Sequence, residues 1–238
     1  MINLMVFSFA VVLGSLVSGM TGLGGGVILL AFMTPIFPPA VLIPLHGTIQ
    51  LMSNVSRTVI SPKGVDMRFV LPFLLGSIIG ALSGMPLQIN LTSDYHTIII
   101  AIAILVLTWV PKIKITNDFR GKYIILGFVE TFFSLFIGSS GPLVSPFFLS
   151  SKLEIKNFVP TKSACQIFVH LFKVLIYFYS GFSLMNWAGH IALAFPLVII
   201  GATAGKYLVG KIDEKLYRTI IKIVITILAL RMVYEYFF

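Results

Sequence analysis

The sequence predicts an all-α, polytopic integral membrane protein, and three observations support this prediction. Of the 238 residues, 58% are hydrophobic and only 11% are charged, whereas soluble domains carry roughly 25% charged residues. Mean hydropathy is +1.02. Long apolar stretches recur along the chain, and most approach the roughly 20 residues that a helix needs to cross a bilayer. No polar stretch is long enough to form a separate soluble domain.

Hydrophobic segments can be marked at 3–36, 40–60, 69–89, 96–111, 123–149, 159–179, 187–207 and 217–237. Two of them, 3–36 and 123–149, are interrupted by glycine-rich stretches at 22–26 and 138–141. Each glycine inside a helix costs roughly 1 kcal/mol relative to alanine, so both helices should break there. Broken backbone at membrane depth must lie against protein or line a polar cavity. We therefore expect about eight to ten membrane helices.

The two halves of the chain resemble each other. The second glycine-rich stretch follows the first by about 115 residues, and three polar positions recur with a spacing of 116. These positions are Gln50, Asn54 and Arg57 in the first half and Gln166, His170 and Lys173 in the second. Interruptions at matching places in two halves indicate a transporter built from repeats, with its binding site between them.

The loop charges predict that the repeats are inverted. In the first half, the loop after the second segment carries Lys63 and Arg68. The matching loop of the second half, near 180–186, is uncharged, whereas the other loops of that half are basic. Lys and Arg mark the cytoplasmic side. The predicted domains are a first transmembrane repeat (1–111), a basic cytoplasmic linker (112–122) and a second repeat (123–238), which together form one transporter domain. Each repeat should begin with a broken-helix hairpin, and the two hairpins should enter from opposite sides.

The polar positions are candidates for binding a small anion. Gln50, Asn54 and Arg57 are spaced i, i+4, i+7, which places them on one helix face. Gln166, His170 and Lys173 repeat this spacing. Amide groups offer neutral donors and the cations add charge, although Gln and Asn in membrane helices also serve as interhelical hydrogen-bond partners. Arg57 and Lys173 have a second interpretation too, because long cationic side chains near helix ends snorkel to the interface.

The helix breaks should complete the substrate-binding site. Half-helix N-termini attract anions through their backbone N–H groups and the positive end of the helix dipole. The backbone that begins these half-helices and the two serine hydroxyls are further candidates for substrate binding: Gly24, Gly25, Gly26, Ser139, Ser140 and Gly141.

Glu130 and His170 are candidates for proton coupling. Glu130 lies roughly two turns inside its hydrophobic segment, where an acid is costly and is a functional candidate by default. An interfacial position for Glu130 and a purely structural contact for His170 are the alternatives. The sequence contains no pattern for a metal site or a cofactor. The net charge of +9 is assigned to cytoplasmic loops rather than to a nucleic-acid partner, and the oligomeric state is not defined by the sequence.

The sequence is also compatible with two other classes of function. Residues 138–141 have the form Gly-x-Ser-Gly, the local pattern of rhomboid-type intramembrane serine proteases, in which Ser140 would be the nucleophile and a distant histidine such as His190 its base. His190 lacks the closely spaced glycines of that pattern. A non-transporting membrane assembly subunit is the third class. We expect a transporter and not an enzyme, since the repeat already accounts for the serine motif.

The run from Ser18 to Gly26, Ser-Gly-Met-Thr-Gly-Leu-Gly-Gly-Gly, with Pro35 downstream, resembles the signature of the sulfite exporter TauE/SafE family, also called the toluene-sulfonate uptake permease family. The resemblance covers essentially the whole chain. It implies a multi-pass secondary transporter in the plasma membrane of a prokaryote. Its substrate would be sulfite, thiosulfate, sulfoacetate or another organosulfonate, moved by alternating access, with coupling to the proton or membrane gradient. His170 stands where relatives often have an amide.

Overall fold

A computed structural model describes residues 2–22, 24–90, 93–109, 121–141 and 155–208, with isolated positions at 148, 153 and between 219 and 234. Within these residues the regular structure is α-helical, with two short 3-10 turns and no strand, so the all-α prediction is confirmed. Three predicted features lie mostly outside the described residues: the linker 112–122, the return arm of the second hairpin near 142–149, and the last segment 217–237.

Eight helices are described, and we number them in chain order. They are α1 (Ile2–Thr21), α2 (Gly25–Met33), α3 (Pro39–Ile60), α4 (Met67–Asn90), α5 (Ser93–Trp109), α6 (Lys122–Ile137), α7 (Ile155–Tyr179) and α8 (Ala188–Leu208). The 3-10 turns Pro62–Gly64 and Met185–Trp187 lead into α4 and α8.

The outer helices carry the apolar surface of a membrane protein. Three helical stretches of the described part are long and apolar enough to cross a membrane: Asn3–Thr21, Met67–Ile89 and Met185–Leu208. Large apolar side chains point outward, among them Val59 at 69% exposure and Leu82 at 68%. Exposed apolar surface on this scale marks an interaction site, and a lipid bilayer is the partner that fits helices of this length.

The first predicted helix break is present. α1 ends at Thr21, Gly22 and Gly24 adopt left-handed backbone with φ of 67° and 80°, and α2 begins at Gly25. α2 runs back along α1, since the rings of Phe9 and Phe32 are 5.7 Å apart and a methyl group on Gly14 would lie 2.8 Å from the Gly25 carbonyl oxygen. With 9 residues, α2 is about 14 Å long and cannot cross a bilayer by itself.

The second break occurs in the matching place. α6 ends at Ile137, and Gly138 adopts a φ of 75°. Ser139 and Ser140 are non-helical, and the chain is helical again at Gly141. The arm that would complete this second hairpin lies outside the described residues.

Helices of the first half of the chain pack against helices of the second half. α1 packs against α8, α4 packs against α6, and α3 packs against α7. The contact between α3 and α7 is reciprocal: the Arg57 guanidinium donates to Ser163 Oγ at 2.9 Å, and the Lys173 side chain packs against Gly47. Because Lys173 and Ser163 follow Arg57 and Gly47 by 116 positions each, exchanging the halves maps one contact onto the other. An isologous two-fold contact has this property.

The basic and the uncharged connections lie at opposite ends of the molecule. Thr161 near the start of α7 hydrogen-bonds Gly64 and Asp66 in the α3–α4 turn, and Lys206 near the end of α8 donates to the Ile60 carbonyl. This end therefore carries Lys63, Arg68 and Lys206. In the same turn, hydrogen bonds from Arg68 lower the pKa of the Asp66 carboxyl.

The opposite end holds the turns before α3 and α8, whose aromatic residues Phe37 and Trp187 pack together at 5.4 Å. Lys63, Arg68 and Lys206 thus lie together at one end, in agreement with the positive-inside interpretation.

The close approach of α1 and α8 should depend on glycine. A methyl group on Gly19 would lie 2.7 Å from the Ala202 carbonyl oxygen, so we expect Gly19→Ala to destabilise the protein by about 1–3 kcal/mol through overpacking. The single cysteine, Cys165, is fully buried and reports unfolding by its reaction with a fluorogenic maleimide during heating in detergent.

Gly189→Ala is the matched control, because Gly189 is also helical but has no neighbouring atom within 4 Å of the added methyl group. An unchanged melting temperature for Gly19→Ala, with Gly189→Ala equally unchanged, would show that α1 and α8 are not in close contact.

Candidate functional site

The two helix breaks meet in the interior. A methyl group on Gly26 would lie 3.0 Å from Ser139 Oγ, and one on Gly138 would lie 2.9 Å from Leu30 of α2. α1 and α6 approach this point from opposite ends, since α1 begins beside the uncharged turns and α6 begins beside the basic end of α4. Both breaks therefore contribute to a single site.

A small cavity of about 20 Å³ lies where the breaks meet. A cavity of this size holds about one water molecule, so a polyatomic anion enters only if the walls move apart. Its lining is almost wholly polar or glycine: Ser18, Gly22, Gly24, Gly26, Gln50, Glu130, Ser139, Ser140, Gly141, Lys162, Gln166 and His170.

Most of the substrate-binding candidates from the sequence lie in this lining. Eight of them are there: Gly24, Gly26, Gln50, Ser139, Ser140, Gly141, Gln166 and His170. Gly25 instead packs against Gly14 and Ser18 of α1. Asn54, Arg57 and Lys173 are not in the lining. Asn54 donates to the Gln50 carbonyl, Lys173 lies beside His170, and Arg57 donates to Asn54.

Arg57 is directed inward and does not snorkel to the interface. The side chain is only 6% exposed. Its guanidinium donates to Ser53 Oγ at 2.8 Å and to Asn54 Oδ1 at 2.5 Å, in addition to Ser163. All three partners are neutral, so the positive charge of Arg57 has no ionic partner among these contacts.

Lys173 is also directed inward, and its side chain is fully buried. Its ammonium donates to the carbonyl oxygen of Gly138, the left-handed residue that ends α6. His170 Nδ1 lies 3.5 Å from the same ammonium. Lys173 therefore caps the second break from behind the cavity.

The cavity lining contains one lysine, Lys162. This residue is not among the candidates that the sequence pattern singled out. It is 3% exposed, and its ammonium donates to the Gly22 carbonyl at 2.9 Å. Two signals were available: Lys162 lies one helical turn before Gln166 on the same face of α7, and it follows another polar residue, His46, by 116 positions. Lys162 and Lys173 thus each bind the carbonyl of a left-handed glycine, one at each break.

The histidines of α3 and α7 face each other next to this site. His46 Nε2 lies 2.9 Å from the Gly26 carbonyl oxygen, and the His46 and His170 rings are 6.1 Å apart. His46 Nδ1 is buried without a hydrogen-bond partner.

Glu130 is buried in the cavity wall, at 1% exposure, and is not interfacial. Gln166 Nε2 donates to its Oε1 at 2.5 Å, whereas its Oε2 has no hydrogen-bond partner. A methyl group on Gly141 would lie 3.6 Å from Glu130 Oε1 and 3.7 Å from Lys162 Nζ, so these two groups flank one point of the cavity.

The contacts of Ser140 do not resemble those of a catalytic serine. Its hydroxyl donates to the Glu130 carbonyl oxygen at 2.7 Å. His190, the base considered from the sequence, instead packs among the rings of Phe7, Phe37 and Trp187. Among the described residues, no group of His, Cys, Asp and Glu is arranged to hold a metal ion.

A family model described as sulfite exporter TauE/SafE matches residues 6–232, nearly the whole chain. The chain belongs to the sulfite exporter TauE/SafE family. Neither the curated proteins nor the solved structures that were searched contain a match. This TauE/SafE protein is therefore a multi-pass membrane protein of a transporter family, and the membership argues against the protease and assembly-subunit alternatives.

The first break should depend on the left-handed conformation of Gly24. No atom lies within 4 Å of a methyl group placed there, so the cost of Gly24→Ala comes from backbone strain alone, about 1–2 kcal/mol. Gly24→Asn should cost less, because Asn tolerates this conformation better. The measurement is the unfolding temperature reported by Cys165 labelling, and an asparagine variant no more stable than the alanine variant would contradict this explanation.

Proposed function

We propose that this TauE/SafE protein is a secondary transporter of small sulfur-containing anions, with sulfite, thiosulfate, sulfoacetate and other organosulfonates as the substrate class. The anion binds in the cavity between the two breaks, and the protein exposes this site alternately to the two sides of the membrane. The observation that carries the proposal is an excess of buried positive charge around a polar cavity.

The charges near the cavity do not balance. Arg57, Lys162 and Lys173 are buried and hydrogen-bond only to neutral groups in the contacts described above. Glu130 is the single buried acid of the described part, and no ion pair joins it to a cation there. Buried charges are costly unless they are paired. A bound anion would supply the missing negative charge, which favours an anionic substrate over a neutral or cationic one.

Neutral donors surround the same point. Gln50 and Gln166 approach from α3 and α7, and Ser139 lies against Gly26. The N-terminus of α2 begins at Gly25 beside the cavity, where backbone N–H groups and the positive end of the helix dipole favour an anion. This combination suits the several acceptor oxygens of a sulfite or sulfonate group.

The packing supports an alternating-access mechanism with inverted repeats. The broken helices enter from opposite ends, and the contacts between α3 and α7 are reciprocal. In transporters of this kind, one repeat rocks against the other around a fixed central site. The small cavity then corresponds to a closed state. We place the protein in the plasma membrane of a prokaryote, with the basic end in the cytoplasm. Glu130 and His170, which both line the cavity, are the candidates for proton coupling.

Flux measurements test the role of the amide donors. We expect Gln50→Ala and Gln166→Ala to lower uptake of labelled sulfite into proteoliposomes, each by roughly ten-fold if one hydrogen bond to a charged ligand is lost. Gln88→Ala is the matched control, because Gln88 is also buried but bonds Ser180 near the uncharged end. Normal flux in both site variants would remove the proposed binding site. Absence of flux for sulfite, thiosulfate and sulfonates in the wild type would contradict the function itself.

Lys162→Met tests the role of buried charge. The substitution removes the ammonium group that lines the cavity, and we expect the affinity for sulfite to fall by roughly ten- to a hundred-fold. Binding is measured as the sulfite-dependent rise in melting temperature, followed by the fluorescence of the two tryptophans because sulfite itself reacts with maleimides. Lys63→Met, an exposed lysine in the α3–α4 turn, should bind like the wild type. Equal affinity in the two variants would show that Lys162 serves only to cap the Gly22 carbonyl.

A further inference from the structure

We propose that the cavity binds its anion together with one proton, which is shared between the Glu130 carboxyl group and an oxygen of the anion. This inference rests on the proposed function and makes it more specific. It assigns the coupling proton to Glu130 rather than to His170, and it makes protonation a condition of binding.

The position of Glu130 carries the inference. An acid is unexpected in the wall of an anion-binding cavity, because a carboxylate and an anion repel each other when both are charged. Glu130 nevertheless lines the cavity and is 1% exposed. The Gln166 amide donates a hydrogen bond to Oε1, and the Ser140 hydroxyl donates one to the main-chain carbonyl of Glu130. Oε2 has no hydrogen-bond partner.

An unpartnered buried oxygen of this kind requires an explanation. If the Glu130 carboxyl is ionised, Oε2 is an acceptor without a donor, and an anion that carries a proton would supply one. If the carboxyl is protonated, its O–H is a donor without an acceptor, and an anion oxygen would supply one. Both cases place one proton between Oε2 and the anion, which satisfies Oε2 and removes the charge repulsion.

No other charged group near Glu130 provides a hydrogen-bond partner for Oε2. On α7, the titratable residues near Glu130 are Lys162, Cys165, His170 and Lys173. On α3 they are His46 and Arg57, which lie behind the α7 residues. The described part of α4 carries only Arg68, which is at the exposed basic end, and α6 itself offers Lys122 and Tyr123 two turns away. None of these side chains hydrogen-bonds Oε2.

The test uses methanesulfonate, a monoanion that has no proton of its own to contribute. Calorimetry of the full-length protein in two buffers of different ionisation enthalpy counts the protons taken up on binding. We expect about one proton per anion, and an affinity that rises about tenfold for each unit of falling pH until the free protein already carries the proton. Uptake near zero across the whole pH series together with an affinity that does not change with pH, or sulfite binding without any methanesulfonate binding, would overturn the inference.

Two variants locate the proton. Glu130→Gln keeps an oxygen for Gln166 and places an N–H where the shared proton was, so we expect methanesulfonate binding that no longer varies with pH. His170→Gln should bind more weakly but retain the wild-type pH dependence. The opposite result, with pH dependence lost in His170→Gln and kept in Glu130→Gln, would assign the proton to His170 and overturn the inference.

The calorimetric proton count on the wild type remains decisive even if Glu130→Gln does not fold. Failure of the proposed function gives a different result, since neither methanesulfonate nor sulfite would then bind at any pH.

Discussion

The structure depends on two ammonium groups that hold the ends of two broken helices. Lys162 and Lys173 lie eleven positions apart on α7, about 16 Å along the helix, and each donates to the carbonyl of a left-handed glycine. Carbonyl groups at a helix end need partners, and in a membrane interior only protein or trapped water can provide them. α7 therefore stabilises both breaks at once, and the residues between the two lysines, Gln166 and His170, are held against the cavity.

This arrangement also concentrates positive charge. A hydroxyl or an amide could bind a glycine carbonyl without introducing a charge, so the use of lysine at both breaks requires a further reason. Each ammonium has three donors, and a carbonyl uses only one of them. The remaining donors of Lys162 lie at the cavity wall, where an anion can bind them without releasing the Gly22 carbonyl. The same residue thus stabilises the break and, in the proposed function, contributes to anion binding.

Much of this architecture could be predicted from the sequence, because glycine and charge act locally. The breaks at Gly22–Gly24 and at Gly138, the shared helix face of Gln166 and His170, and the family itself are all carried by short motifs. The directions of Arg57 and Lys173 could not be predicted, since whether a long cation snorkels or turns inward depends on how α3 packs against α7. Lys162 was missed for a related reason: its loop-side position resembles that of an interfacial lysine until the Gly22 carbonyl is placed beside it.

The exchange of partners between the two halves limits how the closed cavity can open. Because the halves exchange partners, with α1 on α8 and α4 on α6, neither half can move as a unit without sliding along helices of the other. At Gly19 and Gly201 the helices α1 and α8 approach so closely that an added methyl group would lie 2.7 Å from a backbone oxygen of the other helix, and small sliding of packed helices is one of the common modes of movement. α3 and α7 pack against each other and both line the cavity, so a relative movement of these two helices would change its width. A movement of this kind is what the proposed alternating access requires.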